Sequence, residues 1–340
     1  MKRKVQQLGS STLAVTVPAE WARHHEMEKG DTVVIQQDEN GGSLLIVPEQ
    51  PTTDDAEVTI DAEQLDSEGL ERAIVTQYVL GRQLVQIDAD EQLTPAQYES
   101  IQNAERRLMG LGIVEQAQSE VTVRCSVAPG DFKLPTLLNR LSRTESTMRT
   151  EAVHAVLDGD ADLARGVRTR HRQNNKLFYL FLRLIFATYR NPQLNTAVGL
   201  ETGFPLIGYR SVAQDISLMA GVANEIASLV VDDELPTTDE ETNMLLEDLL
   251  EALDEAVKTT ITAVTEPDYT TTEAARDGFS LVDKRVTAVN EYLKTERPKP
   301  LLELQRMVVL LERCAQHGRD SLAVATHLTF RASPDLVESK

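Results

Sequence analysis

Apolar residues recur at helical spacing throughout the part of the chain that follows residue 134. Residues three and four positions apart share one face of an α-helix, which has about 3.6 residues per turn. Leu177, Leu180, Phe181 and Leu184 form such a stripe. The pattern predicts helices over residues 135–158, 160–190 and 207–231, and three more that begin near residues 238, 270 and 300.

A break at Pro236 divides these helices into two sets of three. Long helices joined by short connections pack as bundles around an apolar centre. The chain therefore predicts two three-helix bundles, at residues 135–232 and 236–330. Capping boxes are predicted to open the fourth helix, at residues 238–241, and the fifth, at residues 270–273.

The first 48 residues have a different pattern, in which short alternating stretches are separated by turn residues. They predict strands at residues 5–8, 13–17, 32–37 and 44–47, a helix opened by Pro18, and a hairpin turn at Asn40-Gly41. So few apolar positions do not bury a self-sufficient core, whereas two interlocked copies do. The unit at residues 1–48 therefore predicts a homodimer.

Between these regions lie a polar linker at residues 49–56 and an α/β connecting segment at residues 57–128. Within the segment we expect strands near residues 58–60, 113–114 and 121–127, and helices over residues 68–85 and 94–109. Thr94 and Gln97 have the spacing of a capping box at the start of the second helix. The pattern leaves the topology of this segment open. The fold class expected for the whole chain is mainly α.

Composition limits the classes of protein to which the chain can belong. The 340 residues include 54 acidic and 34 basic side chains, with a formal net charge of -20. Charge of one sign spread along a chain is usually a solvated surface, and here it is typical of a halophile's cytoplasmic protein; an acidic patch for a basic partner is the alternative. No apolar run is long enough to span a membrane, so membrane insertion is not expected. Cys125 and Cys314 lack metal-site spacing and are expected to be buried free thiols.

One stretch of this acidic chain is locally positive. Among residues 1–25 Lys2, Arg3, Lys4 and Arg23 are basic, and Glu20 is acidic. In a dimer these positive charges are doubled across a two-fold axis, an arrangement that suits duplex DNA. The alternative is that the unit only dimerises and makes no contact with DNA.

The N-terminal segment resembles a known family. KVQQLGSSTLAVTVPAEW at residues 4–21, followed by GDTV at 30–33, is similar to the AbrB/SpoVT swapped-hairpin proteins. The resemblance implies a dimeric DNA-binding barrel. Carried over to this chain, the DNA-binding residues that it implies are Lys2, Arg3, Lys4, Ser10, Ser11, Thr12 and Arg23.

The helical half resembles PhoU proteins over residues 135–330, with an internal repeat that places residues 208–215 opposite 304–312. That family carries Glu-Arg-Ile-Gly/Ala-Asp motifs, whose two carboxylates share one helical face and can hold a cation. Residues 217–221 of this chain read SLMAG, without a carboxylate, and residues 312–316 read ERCAQ, followed by His317. One Glu and one His are too few for a cluster of this kind, so no metal or cofactor is predicted.

Other chemistry is not indicated by the sequence. It has no phosphate-binding P-loop, dinucleotide fingerprint, HExxH or CxxC, so we expect neither catalytic residues nor an enzyme. The basic run at residues 165–172 is interpreted as a solvated face, with an anion-binding or docking patch as the alternative. Glu312 and Arg313 are expected to form an ordinary surface or interhelical ion pair.

Together these features predict a DNA-binding transcriptional regulator of phosphate uptake whose helical half responds to a phosphate-transporter ATPase or a signalling partner. The first alternative is an accessory protein that docks on the transporter ATPase, with an N-terminal unit that only dimerises. A second alternative is an antitoxin-like protein, since swapped hairpins occur in that class too, although the long helical region argues against it.

Overall fold

The computed structural model describes residues 2–37, 44–48, 57–191, 194–200, 203–231 and 236–333. The chain divides into two compact units, residues 1–57 and 58–340. The predicted turn at Asn40-Gly41 and the predicted linker at residues 49–56 lie outside the described residues.

The N-terminal unit contains two antiparallel hairpins and a short helix between them. Its elements are β1 (Gln6–Leu8), β2 (Thr12–Ala14), α1 (Ala19–His24), β3 (Val33–Gln37) and β4 (Leu44–Pro48). Gln7 lies opposite Leu13 in the first hairpin, and Ile35 lies opposite Ile46 in the second. Gly9 has a φ of 76°, a left-handed conformation that lets the chain reverse tightly between β1 and β2. The element order is the one predicted, but β2 ends at Ala14 rather than at residue 17.

The second unit begins with an α/β segment. Its elements are β5 (Glu57–Asp61), α2 (Ser67–Val79), β6 (Leu84–Asp88), α3 (Pro95–Arg107), β7 (Leu111–Gln116) and β8 (Glu120–Cys125). The four strands form one sheet in the order β5-β6-β8-β7, and β8 is antiparallel to both β6 and β7. The predicted capping box is present, since the Thr94 side chain accepts from the Gln97 amide and the Gln97 side chain accepts from the Thr94 amide.

One prediction in this segment was wrong. A helix was expected over residues 68–85, but α2 ends at Val79 and residues 84–88 form a strand. Gly81 has a φ of 91°, which terminates the helix. Val85 and Ile87 are buried while Gln86 between them is less so, and this period of two is that of a strand.

The rest of the unit is helical. Its elements are α4 (Leu134–Asp158), α5 (Ala161–Arg190), α6 (Leu194–Val198), α7 (Phe204–Val231), α8 (Glu240–Thr265), α9 (Tyr269–Glu296) and α10 (Leu301–Ala332). Helices α4, α5 and α7 pack as one bundle, and α8, α9 and α10 pack as the other. The bundles meet where α7 packs against α10 and α4 against α8, and their apolar side chains form one continuous core. The predicted mainly helical fold with two three-helix bundles is confirmed. Within the described part of the chain, no helix has the length and apolar character needed to cross a bilayer.

The helix starts in the second bundle differ slightly from the predictions. The cap of α8 is Asp239, whose carboxylate accepts from the Thr242 amide at 2.9 Å. The cap of α9 is Asp268, whose carboxylate accepts from the Thr271 amide at 2.8 Å. The capping box predicted at residues 238–241 therefore began one residue before the observed cap of α8. The box predicted at residues 270–273 began two residues after the observed cap of α9. Asp binds the unpaired amides of a helix start at least as well as Thr does.

A buried arginine joins the α/β segment to the first bundle. Arg183 of α5 is 2% exposed, and its guanidinium meets the C-terminal end of α2. Its Nη1 donates to the carbonyl of Tyr78 at 2.6 Å and to that of Arg82 at 2.9 Å, and its Nη2 donates to the carbonyl of Gly81 at 3.3 Å. The guanidinium also lies 4.9 Å from the centre of the Tyr78 ring. The last carbonyls of a helix have no partner within the helix, and a cation there also meets the negative end of the helix dipole.

We expect Arg183→Met to lower the free energy of unfolding by about 3 kcal/mol, because it removes three hydrogen bonds that a cation donates to the carbonyls at the end of α2. Urea unfolding followed by circular dichroism measures the change, and amide exchange in residues 74–82 should increase. Arg172→Met, at an exposed arginine of the same helix, is the control. Equal stability of the two variants would contradict the role assigned to Arg183.

Candidate functional site

The basic residues predicted to bind DNA lie on the surface of the N-terminal unit. Lys2, Arg3 and Lys4 precede β1 and are exposed. Arg23 is exposed on α1, where its Nε donates to the carbonyl of Ala19 at 3.3 Å. All four side chains are therefore accessible to a ligand.

The predicted turn residues lie elsewhere on the first hairpin. Ser10 and Ser11 form the β1–β2 turn, and Thr12 begins β2; all three are exposed. The turn lies at the end of the hairpin opposite to residues 2–4, and the intervening three-residue strand spans about 10 Å. One chain thus presents the basic arm and the turn at separate positions on its surface and does not bring them together.

The N-terminal unit also exposes apolar side chains that a folded domain normally covers. Among residues 2–35, 44 and 46, whose burial the structure describes, none is buried, and Leu13 is 71% exposed. The N-terminal apolar set consists of Val5, Leu8, Leu13, Val15, Ile35 and Leu44. Exposed apolar groups of this density in a small unit mark an association surface.

A buried ionic network joins the two helical bundles. Arg149 of α4 is fully buried, with its Nη1 at 2.9 Å from Glu145 Oε1. Its guanidinium also pairs with Asp254 of α8, to which Nε donates at 3.2 Å. Thr150 Oγ1 donates to the second oxygen of Asp254 at 3.3 Å. The network lies beside a cleft of about 930 Å³ between α4 and α8.

Burial sets the electrostatics of this network. It raises the pKa of Glu145 to about 7; Arg149 opposes this shift, and the neighbouring Asp254 charge adds to it. Burial also disfavours the charge of Arg149, but the two carboxylates outweigh that effect and raise its pKa. Arg149 and Glu145 thus lie together inside the core, whereas 30% of the Asp254 side chain remains exposed.

A second polar cluster lies where α7 meets α10. Asp215 of α7 and His317 and Asp320 of α10 each offer a ligand atom, and these atoms lie within 4.8 Å of one another. Sequence reasoning considered His317 only together with Glu312, which is exposed. The spacing of His317 and Asp320, three residues apart on one helix, was an available signal, but the contribution of Asp215 depends on the packing of the two bundles.

The remaining charged candidates behave as ordinary surface groups. The expected ion pair between Arg313 and the neighbouring Glu312 is replaced by another. Arg313 pairs with Glu225 of α7 at 2.5 Å. In the basic run at residues 165–172, Arg170 pairs with Glu151 at 2.6 Å.

Cys125 and Cys314 are buried free thiols, as predicted.

Two segments of the chain match known protein families. Residues 138–230, which cover most of α4 through α7, match the PhoU domain. We call this matched segment the PhoU domain. Residues 6–54 match the family described as antidote-toxin recognition MazE, bacterial antitoxin, and this MazE/AbrB-like domain confirms the predicted N-terminal resemblance. No curated protein matches the chain significantly.

The PhoU match covers the first bundle and ends at the last turn of α7. The buried network therefore begins in the PhoU domain, at Arg149, and reaches Asp254 in the second bundle. Both matched families are non-enzymatic regulators, which favours roles in binding over roles in catalysis.

Glu145 of the PhoU domain is expected to make the stability of the chain depend on pH. Its pKa is raised from 4.5 to about 7 on folding, so its stabilising contribution is fully present below pH 4.5 and is lost as the pH rises through about 7. Glu145→Gln stays neutral at every pH, so between pH 4.5 and 8 its stability relative to the wild type should rise, by on the order of 3 kcal/mol at most.

Urea unfolding at a series of pH values measures this difference. The control is Glu151→Gln, which removes a carboxylate of the same helix that pairs with Arg170 near the surface. It should keep the pH profile of the wild type. A stability difference between Glu145→Gln and the wild type that does not change with pH would show that Glu145 does not titrate in this range.

Proposed function

We propose that the chain is a cytoplasmic transcriptional regulator of phosphate uptake. In this proposal two MazE/AbrB-like units pair and bind an operator in duplex DNA, and the PhoU domain receives a signal from a phosphate-transporter ATPase or a related partner. Contact with that partner changes how the two DNA-binding units are held and thus changes operator affinity.

The observation that carries the proposal is the exposed N-terminal apolar set. A second copy of the same hairpins would cover these side chains, because the resemblance to swapped-hairpin proteins implies a dimer and because none of the N-terminal residues whose burial is described is buried. Pairing also doubles Lys2, Arg3, Lys4 and Arg23, and it supplies a second turn for contact with the DNA backbone.

The net charge of -20 opposes binding to DNA at low salt. At molar salt the Debye length is only about 3 Å, so distant carboxylates no longer repel the phosphates. The same salt removes most of the gain from counterion release. Binding then rests on hydrogen bonds and on the fit of the dimer to the groove, for which a small number of basic residues is sufficient.

The accessory-protein alternative differs in one measurable respect. There the N-terminal unit dimerises but does not bind DNA, and the PhoU domain docks on the transporter ATPase. The antitoxin alternative predicts instead that the N-terminal unit binds a small toxin protein. DNA capture, ATPase binding and toxin binding therefore separate the three functions.

Pairing of the N-terminal units is tested at Leu13. We expect Leu13→Asp to convert the dimer to a monomer, because it places a carboxylate in the apolar surface that the second copy covers. Analytical ultracentrifugation in molar KCl measures the change. Leu302→Asp is the matched control, since Leu302 is 72% exposed in the helical unit and lies far from these hairpins in sequence. Loss of the dimer in the control alone would place the interface elsewhere.

DNA binding is tested by selective capture of genomic fragments in molar KCl. We expect full-length protein to retain promoters of phosphate-transport genes, and removal of residues 1–50 to abolish capture. Lys4→Ala combined with Arg23→Ala should weaken binding about tenfold or more and lower the salt dependence, because each removes a phosphate contact. Lys284→Ala, at an exposed lysine of α9, should leave binding unchanged. Absence of promoter capture by the full-length protein would favour the accessory function.

A further inference from the structure

The contact between α7 and α10 brings together three side chains that can bind a metal ion. Asp215 comes from the first bundle, and His317 and Asp320 come from the second. His317 and Asp320 are three residues apart and therefore share one face of α10. Asp215 and His317 are half-buried and Asp320 is exposed, so the cluster is partly shielded yet open to ions from solvent.

Neighbouring side chains orient the two carboxylates. Ser321 Oγ donates to Asp215 Oδ2 at 3.0 Å, and Gln316 Nε2 donates to Asp320 Oδ1 at 3.0 Å. Each carboxylate keeps its second oxygen outside these two hydrogen bonds. Partners of this kind fix the orientation of metal ligands in proteins.

The spacing of the three groups leaves room for a small ion between them. His317 Nδ1 and Asp320 Oδ2 are 4.0 Å apart, which is too long for a hydrogen bond. Ligands about 2.1 Å from a tetrahedral ion lie about 3.4 Å from one another. The three ligand atoms lie within 4.8 Å of one another, so a small movement of side chains such as the exposed Asp320 would close them around an ion.

We propose that Asp215, His317 and Asp320 bind one first-row divalent cation, Zn²⁺ or Mn²⁺, that links the two helical bundles. Two carboxylates offset the charge of such an ion, and an imidazole nitrogen favours it over Ca²⁺ and Mg²⁺, which prefer oxygen ligands. Burial raises the pKa of Asp215 and the charge of Asp320 adds to this shift, whereas Ser321, His317 and Arg210 oppose it.

This site does not use those positions of the PhoU motif at which the family has carboxylates and this sequence has none. Ser217, Gly221 and Gln316 occupy those positions, and none of them is a ligand here. The proposal is also independent of DNA binding, because the cluster belongs to the second unit of the chain. Failure of one proposal therefore leaves the other intact.

The test is calorimetric titration of chelator-treated full-length protein with ZnCl₂ and with MnCl₂. We expect binding of one ion per chain and a rise in the unfolding temperature, because an ion that binds only the folded chain stabilises it. Asp215→Asn and His317→Gln should each weaken binding by more than the roughly tenfold loss that follows removal of an outer partner. Cobalt absorption provides a second readout, since its bands should change when the His317 nitrogen is removed.

Glu225→Gln is the matched control, because it removes another ionic contact between α7 and α10 while leaving the cluster complete. It should retain the affinity of the wild type for the ion, and circular dichroism confirms that every variant is folded. Two results would overturn the proposal. One is the absence of stoichiometric binding of either ion to the wild type, and the other is equal affinity in Asp215→Asn, His317→Gln and the wild type. Either result would leave His317 and Asp320 as a surface ion pair.

Discussion

The second unit depends on one constraint, which is that backbone carbonyls at the contact between two packed elements must have donors. Helix α2 ends at Val79 and packs against α5, with Tyr78 of its last turn buried. Arg183 supplies the donors from α5, and Arg190 adds a bond from its Nη1 to the carbonyl of Leu80 at 3.1 Å. Because the same helix packs within the first bundle, the α/β segment and the PhoU domain are held as one body.

A similar solution appears where the two bundles meet. Apolar side chains fill the interface but are nondirectional, so they resist sliding and rotation less than specific polar contacts do. Arg149 with Asp254 joins α4 to α8, and the hydrogen bond from Ser321 to Asp215 joins α10 to α7. One link is buried and the other is open to solvent. A change in either contact would alter how the PhoU domain packs against the second bundle.

The sequence predicted the parts of the fold that depend on local chemistry. Helical spacing located α4, α5 and α7–α10, and Thr94 with Gln97 marked the start of α3. Helical spacing gave the wrong element over residues 80–85, because the apolar residues of a short strand can also be placed on the last turn of a helix. Contacts between distant residues, such as Asp215 with His317, were not predictable, since no local pattern encodes which helices pack together. The predicted DNA-binding residues are on the surface, and whether they bind DNA stays a prediction, because the proposed interface includes a second chain.

The exposed apolar hairpins of the N-terminal unit carry a consequence of another kind. Where a second chain completes a core, that core forms only when two chains meet. The stability of the core then depends on the concentration of the protein itself. The helical unit has a full core within one chain and does not share this dependence. If the proposed pairing holds, dilution would act on the N-terminal unit and spare the helical unit, so that the amount of the protein would itself set how much of the N-terminal core is formed.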